Sequence, residues 1–102
     1  MPARQQVQYL VIYDICEPRR LQRVHRFLKK SGLPVQYSVF LVIMTKQRLL
    51  SLLAGIESLI DDRDDDVRCY ALPSRVECRV LGKQFFPQDV MLFSNGMPRL
   101  LL

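Results

Sequence analysis

The 102-residue chain is short of the residues on which much metal and covalent chemistry depends. It has one histidine, His25, so it offers neither a histidine ligand pair nor a second imidazole, and His25 reads as a solvated helix residue. Ser38 has no histidine with an orienting partner, which argues against a serine hydrolase. The three cysteines, Cys16, Cys69 and Cys78, are odd in number and form no CxxC pair, so neither a zinc site nor a disulfide framework is expected. The four glycines are scattered at 32, 55, 82 and 96, which excludes a glycine-rich phosphate loop. No apolar run approaches the roughly 18 residues that span a bilayer. The first residues, Met1 to Gln6, are not followed by a signal-peptide pattern. A cytoplasmic location without membrane association is therefore the expectation, and in such a compartment Cys69 and Cys78 stay reduced even if a hairpin opposes them.

What is present describes an ordinary folded domain. Hydrophobic residues make up 49% and charged residues 25%, enough for one modest core. The net charge of +5 hides an asymmetry, because five of the ten acids lie in Asp61-Asp62-Arg63-Asp64-Asp65-Asp66. The cations concentrate instead in Arg19, Arg20, Arg23, Arg26, Lys29 and Lys30. The rest of the surface is thus more cationic than the total suggests, which favours an anionic partner over a plain solvated helix face.

The elements alternate. Val7 to Asp14 is rich in β-branched and aromatic residues and predicts a buried strand. Pro18 suits the first turn of a helix, whose apolar positions are Leu21, Val24 and Leu28 with Phe27 beside them. Gly32 is placed to end that helix and Pro34 to prevent its continuation. Val35 to Met44 predicts one long strand, or two short ones bent near Tyr37-Ser38. Leu49, Leu52, Leu53, Ile56 and Ile60 form the stripe of a second helix. The Asp61–Asp66 run predicts a loop of mutually repelling charges with nothing to pack. Val67 to Leu72 and Val76 to Leu81 predict two short strands.

This order, with two helices able to cover only one face of one sheet, predicts an α+β fold: a ferredoxin-like βαββαβ sandwich over residues 1–83. Residues 84–102 form a C-terminal extension, in which Val90-Met91-Leu92-Phe93 suits an additional strand or a cover for the partner protomer. Leu10, Ile12, Val39 and Leu41 make both sheet faces apolar, so a second copy is expected on the uncovered face.

Two constellations carry chemistry. Arg19, Arg23, Arg26 and Lys30 are spaced by four, three and four, and so share a helix face suited to tracking phosphates. The helix dipole accounts for Lys29 and Lys30 near the C-terminus, but not for Arg19 and Arg20 at the N-terminal end. Asp14 closes the first strand, where it can cap the following turn. If two first strands meet near a two-fold axis, two Asp14 carboxylates approach, and such a pair shares a proton or binds a hard cation.

Tyr13-Asp14-Ile15, the basic helix, Gly32-Leu33 and above all Val35-Gln36-Tyr37-Ser38-Val39-Phe40 resemble the CRISPR-associated endoribonuclease family, the smaller of the two core spacer-acquisition proteins. The resemblance covers roughly residues 7 to 83. It departs at Leu33-Pro34-Val35, where family members often carry a basic residue. The resemblance implies a homodimer and a catalytic Asp14 that binds Mg²⁺ or Mn²⁺ between two protomers. It implies supporting roles for Tyr13, Ser38 and Phe40, nucleic-acid contacts from the arginines at 20 or 23, and Val76 to Leu81 pairing with the partner protomer. It implies DNA or RNA as ligand and a CRISPR-associated integrase as partner, with this subunit acting either as a nuclease or as a non-catalytic DNA-binding scaffold. Outside the family, a ferredoxin-like interaction module is the remaining reading.

Overall fold

In β1 (Gln6–Asp14), Tyr9, Val11 and Tyr13 are buried, while Leu10 and Ile12 between them are only half-buried. That period of two sorts one strand between two environments. It recurs in β3 (Val39–Thr45), where Phe40, Val42 and Met44 join the core and Ile43 is exposed. The computed structural model describes residues 5–77, 79, 81, 92–94 and 97–99. Along the chain follow α1 (Pro18–Lys29), β2 (Leu33–Gln36), β3, α2 (Lys46–Glu57) and β4 (Asp66–Leu72). The four strands form one antiparallel sheet in the order β2-β3-β1-β4. This is the expected ferredoxin-like arrangement, with both helices on one face.

The core lies between that face and the helices. Val24 and Leu28 of α1 and Leu49, Leu52 and Ile56 of α2 close over Tyr9, Val11, Tyr13, Phe40, Val42 and Met44. Glu17 caps α1, its carboxylate accepting from the backbone N–H of Arg19 and Arg20, and Pro18 follows at the first helical position. Thr45 caps α2 through its hydroxyl, which accepts from Arg48 N–H. Ile60 packs on the core from beyond the end of α2.

Gly32 does more than terminate α1. A Cβ there would stand 2.7 Å from Val42 Cγ1 and 2.8 Å from the Leu41 carbonyl oxygen, so the chain passes β3 too closely for any side chain. Gly55 plays the same part between the helices, where a Cβ would run into the Phe27 ring.

Residues 35–44 form two strands, not one. β2 and β3 are joined at Tyr37-Ser38, with Gln36 paired to Val39 and a register shift between Pro34 and Gln36. Ser38 takes the left-handed conformation at φ 63°, and its carbonyl accepts from Tyr13 N–H at 3.1 Å. Pro34 is tolerated because β2 is an edge strand.

Two expectations change. The run Asp61–Asp66 is not an unpacked loop: the Asp65 side chain is fully inaccessible, and Asp66 already belongs to β4. The strand expected over Val76–Leu81 is not seen among the described residues: Val76, Glu77, Arg79 and Leu81 belong to no element, and Cys78 and Val80 lie outside the described residues. Alternating apolar residues make a strand only where a neighbour completes the ladder, and β4 already ends the sheet. In the extension, β5 (Leu92–Ser94) pairs with β6 (Met97–Arg99) as a separate two-stranded sheet. Val90 and Met91 lie outside the described residues.

The second sheet face carries no helix. Leu10, Ile12 and Val39 are half-buried there, Ile43 and Tyr70 exposed, and Leu41 is buried. Among the described residues no helix is long and apolar enough to cross a membrane.

Candidate nucleic-acid and metal site

Asp14 is exposed at the end of β1, and its even position in the strand places it on the helix-free face with Leu10 and Ile12. In the ladder it stands directly opposite Asp66 of β4. Two like charges at opposed positions repel unless something cationic intervenes. Part of that cation is Arg68, whose Nε donates to Asp66 Oδ2 at 3.0 Å from the same face of β4. Asp14 has no such partner among the described residues. Asp66 was not legible as part of the site, because its role depends on the β1–β4 register and not on local spacing.

The three supporting residues converge behind Asp14. The Tyr13 and Phe40 rings lie 6.2 Å apart, and the Ser38 carbonyl ties the β2–β3 turn to Tyr13 N–H. Phe40 is fully buried, so it positions its neighbours and touches no ligand. The Tyr13 hydroxyl lies 3.1 Å from His25 Nδ1, and the imidazole stands edge-on to Phe40 with centroids 5.2 Å apart. His25 is therefore anchored on one side, not simply solvated. Burial, with a smaller contribution from Tyr37, pushes the Tyr13 phenol up to about 12, so it is protonated at neutral pH.

The basic residues divide into two groups. Arg20 is held within the chain: its Nε donates to Asp65 Oδ2 at 2.8 Å and its Nη2 to Oδ1 at 3.2 Å. Asp65 also accepts from the backbone N–H of Cys16 and of Asp61, each at 2.9 Å. The Arg20 hydrogen bonds, joined by those backbone donors, hold the Asp65 carboxyl well below the usual carboxylate range. A cation at the helix N-terminus, unfavourable to the dipole, thus has its counter-charge in Asp65 and needs no phosphate. Arg19, Arg23, Arg26, Lys29 and Lys30 are all exposed and form no ion pair among the described residues. Cys16 and Cys69 are free thiols.

The donor set suits a hard divalent cation. Asp14 and Asp66 offer carboxylate oxygens, the ligand type that Mg²⁺ and Mn²⁺ prefer. Among the described residues, no group of three or more His, Cys, Asp or Glu side chains stands close enough to enclose a metal. One chain would therefore hold such an ion through one or two carboxylates, with waters or a second chain completing the shell.

A single-layer ferredoxin-like sheet with an acid at the end of its first strand and a cationic first helix defines a class, and comparison with known proteins fixes the family. Residues 7–79 match the family described as CRISPR associated protein Cas2. The chain belongs to the Cas2 family of CRISPR-associated proteins. It is 50% identical over 74 residues to a Thermodesulfovibrio yellowstonii protein named CRISPR-associated endoribonuclease Cas2 2, covering 72% of this chain and 81% of that one. Against a Nitrosomonas europaea protein named CRISPR-associated endoribonuclease Cas2 1, identity is 37% over 90 residues, with 88% and 84% covered. Among solved structures, a hypothetical protein from Thermus thermophilus superposes with a TM-score of 0.71 at 32% identity, covering 81% of this chain and 99% of that one. A crystal structure titled cas2 gives 0.73 at 27% identity, with 86% and 100% covered.

Proposed function

We propose that this protein works in CRISPR adaptation as a nucleic-acid-binding homodimer, in which two Asp14 carboxylates meet across the helix-free sheet faces and serve metal-dependent phosphodiester cleavage. The observation that carries the reading is the position of Asp14: exposed, without an ion pair among the described residues, and at the end of the strand whose apolar residues Leu10 and Ile12 border that face. Burying such a face against a second copy is the simplest way to remove it from water. Leu81, 93% exposed in the single chain, supports a strand from Val76 to Leu81 that pairs with the partner protomer.

When bound, Mg²⁺ or Mn²⁺ would activate water and neutralise charge at the scissile phosphate. The chain's own residues do the rest. Asp14 would hold the cation. Arg19, Arg23, Arg26 and Lys30 grip the phosphate backbone, while Arg20 fixes the start of α1 through Asp65. Tyr13, pinned by Ser38 and His25, keeps the end of β1 in place.

A second reading is favoured by the sparse donor set: Asp66 is already engaged by Arg68, and a non-catalytic scaffold for the partner integrase needs only the cationic helix. Asp14→Asn decides between them. The nuclease reading expects Mg²⁺-dependent cleavage of RNA or DNA that disappears in this variant. Cleavage that persists places the activity elsewhere, and a wild type that binds duplex DNA without cutting any substrate leaves the scaffold.

A further inference from the structure

A groove of about 520 Å³ lies between α1 and the β2–β3 turn. Its size falls within the roughly 300–1,000 Å³ of small-molecule sites. Leu21, His25 and Lys29, four residues apart, form one wall with Arg26 beside them, and Tyr37 stands opposite at the turn. Neither Asp14 nor Asp66 lines it.

The chemistry of the groove is mixed in a particular way. Arg26 and Lys29 are exposed cations without ion pairs among the described residues. Tyr37 is 81% exposed, although it is an aromatic residue on a turn whose neighbour Ser38 is held by Tyr13 N–H. A face that only tracks phosphates needs charge and no exposed ring. An exposed ring beside cations is the pairing found where single-stranded nucleic acid is bound, with a base on the ring and the backbone on the cations. His25 adds a hydrogen-bonding ring: its Nδ1 lies 3.1 Å from the Tyr13 hydroxyl, which orients the imidazole and leaves Nε2 as its second hydrogen-bonding atom.

We propose that this groove takes one unpaired nucleotide of a single-stranded DNA or RNA segment, its base stacked on Tyr37 and its adjoining phosphate held by Arg26 and Lys29. His25 Nε2 is the ring atom left to hydrogen-bond a base edge or phosphate. This rests on the nucleic-acid-binding reading above and adds to it a subsite that senses bases as well as charge.

The test is fluorescence anisotropy on the full chain with three probes: a short thymidine oligonucleotide, an abasic oligonucleotide of equal length, and a blunt duplex. The two single strands carry the same phosphates, so their difference isolates the base. Wild type should bind the thymidine strand roughly five- to hundredfold more tightly than the abasic one, the range that one base–aromatic stack confers. Tyr37→Ala should abolish that preference, and Tyr37→Phe, which keeps the ring, should retain it. Tyr37 lies outside the core, so neither change removes buried packing. Equal binding of the two strands by wild type, or a preference that survives Tyr37→Ala, overturns the proposal. Failure of wild type to bind any of the three probes is a different result: it removes the nucleic-acid reading on which the proposal stands.

Discussion

Replacing Arg23 and Arg26 together by alanine should flatten the salt dependence of duplex binding without unfolding the protein. Both side chains are exposed and neither forms an ion pair among the described residues, so only ligand contacts are lost. Four cations, Arg19, Arg23, Arg26 and Lys30, share the outward row of α1. If each neutralises one phosphate, the slope of log K against log salt is about −3.6 per chain, at ~0.9 per contact. Removing two should bring it to about −1.8. Between about 50 and 200 mM salt each contact is worth roughly 3.5-fold, so the double variant should lose about twelvefold less affinity than wild type over that range. Anisotropy titrations of a labelled duplex at several salt concentrations measure both slopes. Arg20→Ala is the internal contrast: it is engaged by Asp65, so the slope should hardly move. An unchanged slope in the double variant, or an equal drop in Arg20→Ala, would refute this division of the basic residues.

Three shorter predictions follow from individual residues. Asp14→Asn should eliminate Mg²⁺-dependent cleavage, read by gel assay with labelled RNA and DNA substrates. Asp65 has a depressed folded-state pKa, so its contribution to stability is complete well above the unfolded aspartate value of about 4 and declines as pH falls below it. Denaturant midpoints of wild type and Asp65→Asn should therefore differ at pH 7 and converge progressively below about pH 4; a constant gap would contradict the Arg20–Asp65 account. Gly55→Ala gains about 1 kcal/mol of helix propensity but drives a methyl into the Phe27 ring, an overpacking cost of about 1–3 kcal/mol. The expected net result is a melting temperature lowered by several degrees, and a raised one would show that Phe27 swings aside freely.

The parts of this fold that were legible in the sequence are those that depend on local periodicity. The alternation in β1, Pro18 at the start of α1 and the stripe from Leu49 to Ile56 each mark an element by the burial pattern it requires. Residues whose role depends on a distant partner were not legible. Asp65 looked like one charge among several in a repelling run, yet its bonds come from Cys16, Arg20 and Asp61, two of them far away in sequence. Arg20 shows the same limit: its misfit with the helix dipole is visible in the sequence, but its partner Asp65 lies 45 residues away. His25 looked solvated because its partner, Tyr13, sits on another element. Gly32 was read as a helix terminator, whereas its tight approach to Val42 and Leu41 appears only once β3 is placed. Asp14 was identified from the strand end, but its opposition to Asp66 required the sheet register. Val76 to Leu81 has the alternation of a strand but pairs with no strand among the described residues.

The claim that Asp14 is half of a site shared by two chains is tested most directly by the stoichiometry of metal binding. Calorimetric titration of the protein with Mn²⁺ should give one ion per two chains, abolished by Asp14→Asn. One ion per chain, or binding that survives the substitution, would contradict it.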